Sequence, residues 1–136
     1  MSERNVVLPT CTAILLCERI IVDALSKNSS LIDVFDSFNV TSFPFLVPSF
    51  WVHVQLDDGI GEHQVTAEIR DAADETISQG EGTAVVNFRP HERGHRFRVT
   101  IRTKPATVNK TGKFIVVVLC DKTEVGRTWF KVVARA

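Results

Sequence analysis

FWVHVQL, residues 50–56, alternates between two kinds of side chain at every step. One set is wholly apolar and consists of Phe50, Val52, Val54 and Leu56. The other set consists of Trp51, His53 and Gln55. Because successive side chains of a β-strand point to opposite faces, this alternation predicts a strand with one buried face and one solvated face.

Other stretches extend the same prediction along the chain. Two more show the period of two, namely HQVTAEIRD (63–71) and RFRVTIR (96–102). Two are almost continuously apolar, which is typical of strands covered on both sides or central in a sheet: CTAILLCERIIV (11–22) and KFIVVVLC (113–120). Three less regular segments also favour strands: SLIDVFDSFNV (30–40), TAVVNFR (83–89) and RTWFKVV (127–133). The total is eight or nine strands.

Turn-forming residues separate these segments at short intervals. Pro44 and Pro48 interrupt FPFLVPSF (43–50), which we expect to be an extended connection because proline cannot donate to a strand ladder. The best candidate for a helix, RIIVDALSK (19–27), has a poor apolar stripe. We therefore predict an all-β fold: an antiparallel β-sandwich of immunoglobulin-like, Greek-key type, formed by one domain over residues 1–136.

Composition excludes several classes of protein. The chain has 136 residues, 44% of them hydrophobic and 24% charged, as in an ordinary globular domain. Sixteen Lys and Arg residues balance sixteen Asp and Glu residues, so net charge gives no argument for binding to nucleic acid.

The first strand also resembles a targeting segment in its apolar character. NVVLPTCTAILLC (5–17) is too short to span a bilayer, and it lacks a basic start and a small-residue cleavage site. We interpret it as a strand of the mature domain and expect a cytoplasmic protein. Cys11, Cys17 and Cys120 lie in apolar surroundings without Cys-x-x-Cys spacing, which favours buried free thiols over disulfides.

Several short motifs occur in a characteristic order along the chain. They are Cys17 in the first strand, SLIDVFD (30–36), an FP…P connection, and G-x-H-x-V-x-x-x-I-x-D from Gly61 to Asp71. In this order the chain resembles a family of small bacterial proteins known as a domain of unknown function. The ending TGKFIVVVLCDKTEVGRTWFKV (111–132) is similar to the last hairpin of many immunoglobulin-like sandwiches. The resemblance implies a sandwich fold and a bacterial source, and it implies no activity.

The segment His91-Glu92-Arg93-Gly94-His95 matches H-E-x-x-H, the zinc-protease motif. That motif needs both histidines on one face of a helix. Here Pro90 precedes the histidines, Gly94 lies between them, and strand patterns flank them. The positions where the extended motif needs glycine and a third histidine hold Arg98 and Ile101. We expect a chance match within a solvated turn; adventitious metal binding and a metal-dependent hydrolase are the alternatives.

An arginine row is the second candidate site. Arg96, Arg98 and Arg102 are predicted to project from one side of a single strand. Such a row suits phosphates or carboxylates. The alternative is a solvated face on which charge discourages aggregation, with Glu68 or Glu81 as cross-strand partners.

The third candidate is the apolar stretch around FPFLVPSFW (43–51). It concentrates large side chains, from which we select Phe43, Phe45, Val47 and Trp51 as a candidate contact surface. The alternative is that part of it closes the open end of the sandwich.

The sequence shows no pattern that carries chemistry. It has no Gly-x-Ser-x-Gly, no glycine-rich phosphate loop after a strand and no evident Cys–His pair. The loop acids, including Asp57, Asp71 and Asp121, lack the spacing of a calcium loop and are ordinary turn formers.

We therefore assign no catalytic residue, metal or cofactor. The leading hypothesis is a non-enzymatic module that binds another protein or itself as a homo-oligomer. The alternative is a binder of nucleic acid or another anionic ligand through the arginine row.

Overall fold

A computed structural model describes residues 6–89 and 96–135. Within them the fold is all-β, with strands, turns and bends but no helix, as the sequence predicts. The first six strands are β1 (Thr10–Val22), β2 (Ser29–Val34), β3 (Ser37–Val40), β4 (Phe45–Val47), β5 (Trp51–Asp57) and β6 (Gly61–Arg70). The remaining six are β7 (Thr76–Gln79), β8 (Ala84–Phe88), β9 (Arg96–Arg102), β10 (Ala106–Val108), β11 (Gly112–Cys120) and β12 (Thr123–Ala134).

Two sheets face each other across the core. The smaller has four strands in the order β2-β1-β5-β9, all antiparallel. The larger has the order β3-β12-β11-β6, and β6 then pairs with β8 along its first half and with β7 along its second half. A short ladder of β4 and β10 stands apart from both sheets. The parallel pairing of β3 with β12 is an exception to the antiparallel rule that we predicted.

The core consists of the inward positions of both sheets. The inward set of FWVHVQL is buried as predicted, and so is the inward set of β6: Phe50, Val52, Val54, Leu56, Val65, Ala67 and Ile69. These residues belong to one cluster that also includes Phe114, Val116 and Phe130 from β11 and β12. Period-two patterning therefore placed the core correctly in β5, β6 and β9, the strands whose sequences alternate regularly.

A cluster of aromatic rings lies within the core and packs against it. The ring of Phe50 makes edge-to-face contacts with the rings of Phe35 and Phe130. Its centroid lies 5.2 Å from that of Phe35 and 5.7 Å from that of Phe130. Phe38 adds to this cluster with a centroid 5.6 Å from that of Phe130. Phe45 extends it, at 6.0 Å from Phe38.

The sequence predicts one strand over residues 30–40, whereas the structure has two. The chain leaves the smaller sheet after Val34 and joins the larger sheet at Ser37, with Phe35 and Asp36 between. A strand that changes sheets must bend, and Phe35 turns into the aromatic cluster at that bend. The expected connection 43–50 likewise contains β4, because its residues 45–47 find β10 as a partner.

The turn between β11 and β12 is tight and well defined. Asp121 and Lys122 form a two-residue loop between the paired residues Cys120 and Thr123. Both loop residues have positive φ, 51° and 69°, which is the signature of a type I′ hairpin turn. This turn places the Asp121 carboxylate beside the start of β6.

Two further expectations concern the chain as a whole. The three cysteines are free thiols, two of them buried. No helix in the described part of the chain has the length and apolar character needed to span a bilayer.

Candidate interaction face on the four-stranded sheet

The outer face of the smaller sheet brings Trp51, one residue of the predicted apolar surface, beside the predicted arginine row. Strand register sets Val34, Cys17, Trp51 and Arg102 side by side in one row across β2, β1, β5 and β9. The guanidinium of Arg102 lies over the Trp51 ring, 5.6 Å from its centroid. The aromatic residue and the arginine row, which the sequence could not place beside each other, are thus one surface, here called the mixed face.

Two side chains of the mixed face are covered although they lie outside the core. His53 is only 4% exposed and Cys17 is fully buried, yet neither belongs to the core cluster. Nδ1 of His53 is buried without a hydrogen-bond partner in the described part of the chain. Burial, with a contribution from Arg98, lowers the pKa of His53 below its ordinary value. The neutral imidazole therefore serves as an apolar filler under the larger side chains around it.

One half of the mixed face is apolar. Leu15 lies opposite His53 on β1 and is 43% exposed, and Val34 on β2 is 54% exposed. Ile21, farther along the outer side of β1, is also exposed. We expected β1 to be either covered on both sides or central in a sheet because its sequence is continuously apolar. Of these two alternatives, the structure supports the second: β1 is central in its sheet, between β2 and β5, while its outer face is partly exposed.

The other half of the mixed face is basic, but its three arginines differ. Arg96 is held by Asp57 in a bidentate pair at 2.7 and 2.8 Å. Arg102 is 4.0 Å from Glu81, one of the two partners that the sequence suggested. Arg98 has no ion-pair partner in the part of the chain that the structure describes. The other suggested partner, Glu68, binds Arg70 instead.

Of the predicted apolar surface, Trp51 alone lies on the mixed face. Phe43 and Phe45 are partly buried and pack against the core. Val47 is 1% exposed and belongs to the core, so its assignment to a contact surface was wrong. Pairing with β10 turns Val47 inward, and a three-residue strand is too short to reveal that direction in its sequence.

The middle of the larger sheet's outer face, around Val117, has its charges compensated by neighbouring residues. Val117 on β11 points outward and is fully buried, flanked by Glu68 on β6 and Arg127 on β12. Ion pairs connect the charges around it, with Arg70 reaching Glu68 at 3.2 Å and Arg127 reaching Glu124 at 2.6 Å. The charges around Val117 therefore compensate one another, whereas the mixed face has an excess of cations and exposed apolar side chains.

The described residues contain no group of three His, Cys, Asp or Glu side chains able to hold a metal ion. His91 and His95 lie outside the described residues.

The loop acids have structural contacts: Asp71 accepts the amides of Ala73 and Glu75 within its turn. Asp121 accepts the amide of Gln64 and contacts His63.

The model of a family of unknown function, DUF6941, matches residues 12–133. The chain belongs to this family. The match agrees with the resemblance noted from the sequence motifs, which likewise carried no activity. No curated protein sequence matches the chain significantly.

The structure explains the G-x-H-x-V-x-x-x-I-x-D motif of this DUF6941 chain in terms of folding. Gly61 has φ of 90°, a conformation that L side chains rarely adopt. His63 is buried between the Asp121 carboxylate and the Ile60 carbonyl. Val65 and Ile69 are core residues, and Asp71 caps the turn after β6. The motif thus fixes both ends of β6 rather than a site.

Several solved structures match the DUF6941 chain at low similarity. A β-glucosidase from Listeria innocua, solved with isofagomine, is 13% identical with a TM-score of 0.47, over 90% of this chain and 16% of that chain. The alkylpurine DNA glycosylase AlkC from Pseudomonas fluorescens, bound to DNA with an abasic site analogue, is 10% identical with a TM-score of 0.36, over 74% of this chain and 28% of that chain. The CARDB domain of the PF1109 protein from Pyrococcus furiosus, solved with di-metal ions, is 14% identical with a TM-score of 0.38, over 94% of this chain and 90% of that chain. The chain therefore spans a small part of the two enzymes.

Proposed function

We propose that this protein is a non-enzymatic binding module whose mixed face docks onto another protein, with a second copy of the chain as the simplest partner. The observation that supports the proposal is the row Val34–Cys17–Trp51–Arg102 with Leu15 beside it. It joins exposed aliphatic side chains to an aromatic ring and an arginine on one flat sheet.

This composition matches the centre of protein interfaces. Aromatic residues and arginine are enriched there, and a few of them supply most of the binding free energy. Trp51 and Arg102 already contact each other, so little side-chain freedom remains to be lost when a partner covers them. Exposed aliphatic side chains such as Val34 and Leu15 gain from removal from water.

The alternative partner is nucleic acid or another anionic ligand on the basic half. Arg98 is the strongest support for it, since it faces solvent without a carboxylate partner in the described part of the chain. Arg96 is neutralised by Asp57, which leaves a shorter row than the sequence predicts. Binding of this kind depends on phosphate contacts by several cations, so we favour the protein partner.

Sedimentation velocity over a range of concentrations tests the proposal. The doubly substituted Leu15→Lys/Val34→Lys protein should remain monomeric where the wild type self-associates, because lysines on this half oppose docking. Val85→Lys is the matched control, since Val85 is 57% exposed on β8 of the larger sheet. A wild type that stays monomeric at all concentrations and retains no partner in a pull-down would refute the proposal.

An electrophoretic shift with single- and double-stranded oligonucleotides separates the alternative. Added lysines should strengthen nucleic-acid binding and abolish protein docking, so the Leu15→Lys/Val34→Lys protein gives opposite results under the two hypotheses. Binding that is lost in Arg98→Gln/Arg102→Gln and weakened by salt would establish the anionic ligand instead.

A further inference from the structure

Trp129, on the outer face of the larger sheet, lies beneath two lysine ammonium groups. Nζ of Lys113 is 4.5 Å from the centroid of the ring, and Nζ of Lys131 is 5.2 Å from it. The two lysines are directly opposite each other in the β11–β12 ladder, so they project from the same face. Trp129 itself is 40% exposed.

This arrangement brings like charges together without compensation. Like charges directly opposite each other in an antiparallel pair destabilise the sheet. No carboxylate within residues 6–89 or 96–135 forms an ion pair with either lysine. Asp36 is close through its backbone, whose carbonyl accepts the Lys131 amide, but its side chain does not pair with the ammonium. The acids around Val117 are already bound to Arg70 and Arg127.

A cleft adjoins the two ammonium groups. It has a volume of about 470 Å³, and its lining includes Thr111, Gly112, Lys113, Lys131 and Val133. Val133 is 40% exposed and supplies an apolar wall, while an atom added at Cβ of Gly112 would meet nothing within 4 Å. The cleft therefore combines two cations with apolar surface and an open floor.

We propose that this cleft, with the indole of Trp129 beside it, binds an acidic segment of a partner polypeptide. Carboxylates of the segment neutralise Lys113 and Lys131, and an apolar side chain packs on Trp129 or Val133. The proposal concerns the outer face of the larger sheet and does not rest on the function proposed above, although Trp129 also borders a concavity that includes Leu15 and Val34 of the mixed face.

Charge favours a polypeptide over nucleic acid at this cleft. Two lysines act as point charges without the bidentate fork that arginine offers to phosphate. Nucleic-acid grooves need a run of cations along the backbone, whereas this chain carries equal numbers of acidic and basic residues. A short peptide segment with carboxylates and one apolar side chain can complement both the lysines and the apolar surface of the cleft.

Fluorescence of a single-tryptophan protein tests the assignment. Trp51→Phe leaves Trp129 as the sole tryptophan, so Trp51 no longer contributes to the signal. Because Trp129 borders a concavity with Leu15 and Val34, the Leu15→Lys/Val34→Lys substitutions in the same background show whether docking on the mixed face affects its emission. The probe is a short peptide of glutamates with one central leucine; inorganic phosphate and a single-stranded oligonucleotide are the comparison probes. If Trp51→Phe fails to fold, fluorine NMR of the wild type labelled with 5-fluorotryptophan resolves the two rings instead.

We expect a saturable change in Trp129 emission with the acidic peptide, weakened by salt and at least about tenfold weaker in affinity in Lys113→Gln/Lys131→Gln. Lys27→Gln/Lys104→Gln, which removes the same charge elsewhere, should bind as the parent does. The proposal fails if the peptide gives no saturable change at low salt or if binding survives Lys113→Gln/Lys131→Gln. It also fails if the oligonucleotide or phosphate binds at least as tightly as the peptide.

Discussion

Nδ1 of the His63 imidazole lies 2.7 Å from Oδ2 of the Asp121 carboxylate, and the two residues come from distant parts of the chain. The other ring nitrogen, Nε2, is 3.0 Å from the Ile60 carbonyl. Both partners are acceptors, so the protonated imidazole is the form that donates to both. His63 is fully buried. Its contact with Asp121 attaches the β11–β12 turn to the start of β6.

Asp121→Ala should therefore destabilise the protein by about 2 kcal/mol, because it leaves His63 buried with one ring nitrogen unpartnered and removes the acceptor of the Gln64 amide. Urea denaturation measures the loss. Glu75→Ala is the control, because Glu75 is exposed and its side chain makes no hydrogen bond or ion pair in the described part of the chain. Equal stability of the two variants would contradict the role assigned to Asp121.

Acid should destabilise the fold through paired carboxylates. Hydrogen bonding by Arg96 lowers the pKa of Asp57, and the Gln64 amide, followed by His63, lowers the pKa of Asp121. The unfolded chain binds these protons at a higher pH, so the contribution to stability is complete above about pH 4 and is lost as pH falls through the folded pKa.

Asp57→Asn removes one of these contributions. Urea midpoints between pH 6 and pH 3 should fall less steeply in Asp57→Asn than in the wild type. Asp36→Asn, at an exposed carboxyl without an ion pair in the described part of the chain, should retain the slope of the wild type. Identical slopes in all three proteins would show that the Asp57–Arg96 pair is not the source.

A second pH effect should arise from His53. Burial first, and then Arg98, lower the pKa of His53 in the folded protein. The unfolded chain therefore binds a proton more tightly, and stability declines as pH falls from about 6.5 toward the folded pKa. His53→Phe should remove this decline between pH 8 and pH 5. An unchanged pH profile in the variant would contradict the burial argument.

Lys113→Glu should stabilise the protein. The substitution places a carboxylate directly opposite Lys131 and converts a repulsive pair into an attractive one. The expected gain is about 0.5 kcal/mol, measured as a higher thermal midpoint that decreases at high salt. Lys104→Glu is the matched control with the same change in charge, and a gain of equal size there would show a general charge effect.

Gly126→Ala should destabilise the protein by about 1–3 kcal/mol, because a methyl group there would lie 2.8 Å from Sγ of Cys11. This position marks where β12 of the larger sheet approaches β1 of the smaller one. Removing the sulfur in Cys11→Ala should recover part of the loss, so the double variant is less destabilised than the two single costs together. Additive costs in denaturant unfolding would contradict a direct contact.

Sequence patterning predicted the long strands and their buried faces. It succeeded at β5, β6 and β9 because each has at least seven residues, enough for a period of two to be evident. It merged β3 with β2, and it failed at β4, β7 and β10. These strands have three or four residues and exist because partners lie beside them. The local sequence of such a short strand does not indicate which strand it pairs with.

The candidate surface was predicted in pieces. Trp51, Arg98 and Arg102 were selected correctly as outward residues, since their strands alternate regularly. Leu15 was missed because a continuously apolar strand gives no sign of which face is covered, and Val34 was missed because the segment 30–40 alternates irregularly. Lys113 and Lys131 were also missed, since they meet only through the register of the β11–β12 hairpin.

The two-residue turn at Asp121 and Lys122 has a consequence for the order of folding. Closing so short a loop costs little chain entropy, and the ladder from Cys120 and Thr123 outward can then zip along neighbouring residues. Most other pairings, such as β1 with β5 or β3 with β12, join distant parts of the chain and form slowly. We therefore expect the β11–β12 hairpin to form early, so that substitutions within it slow refolding more than they accelerate unfolding.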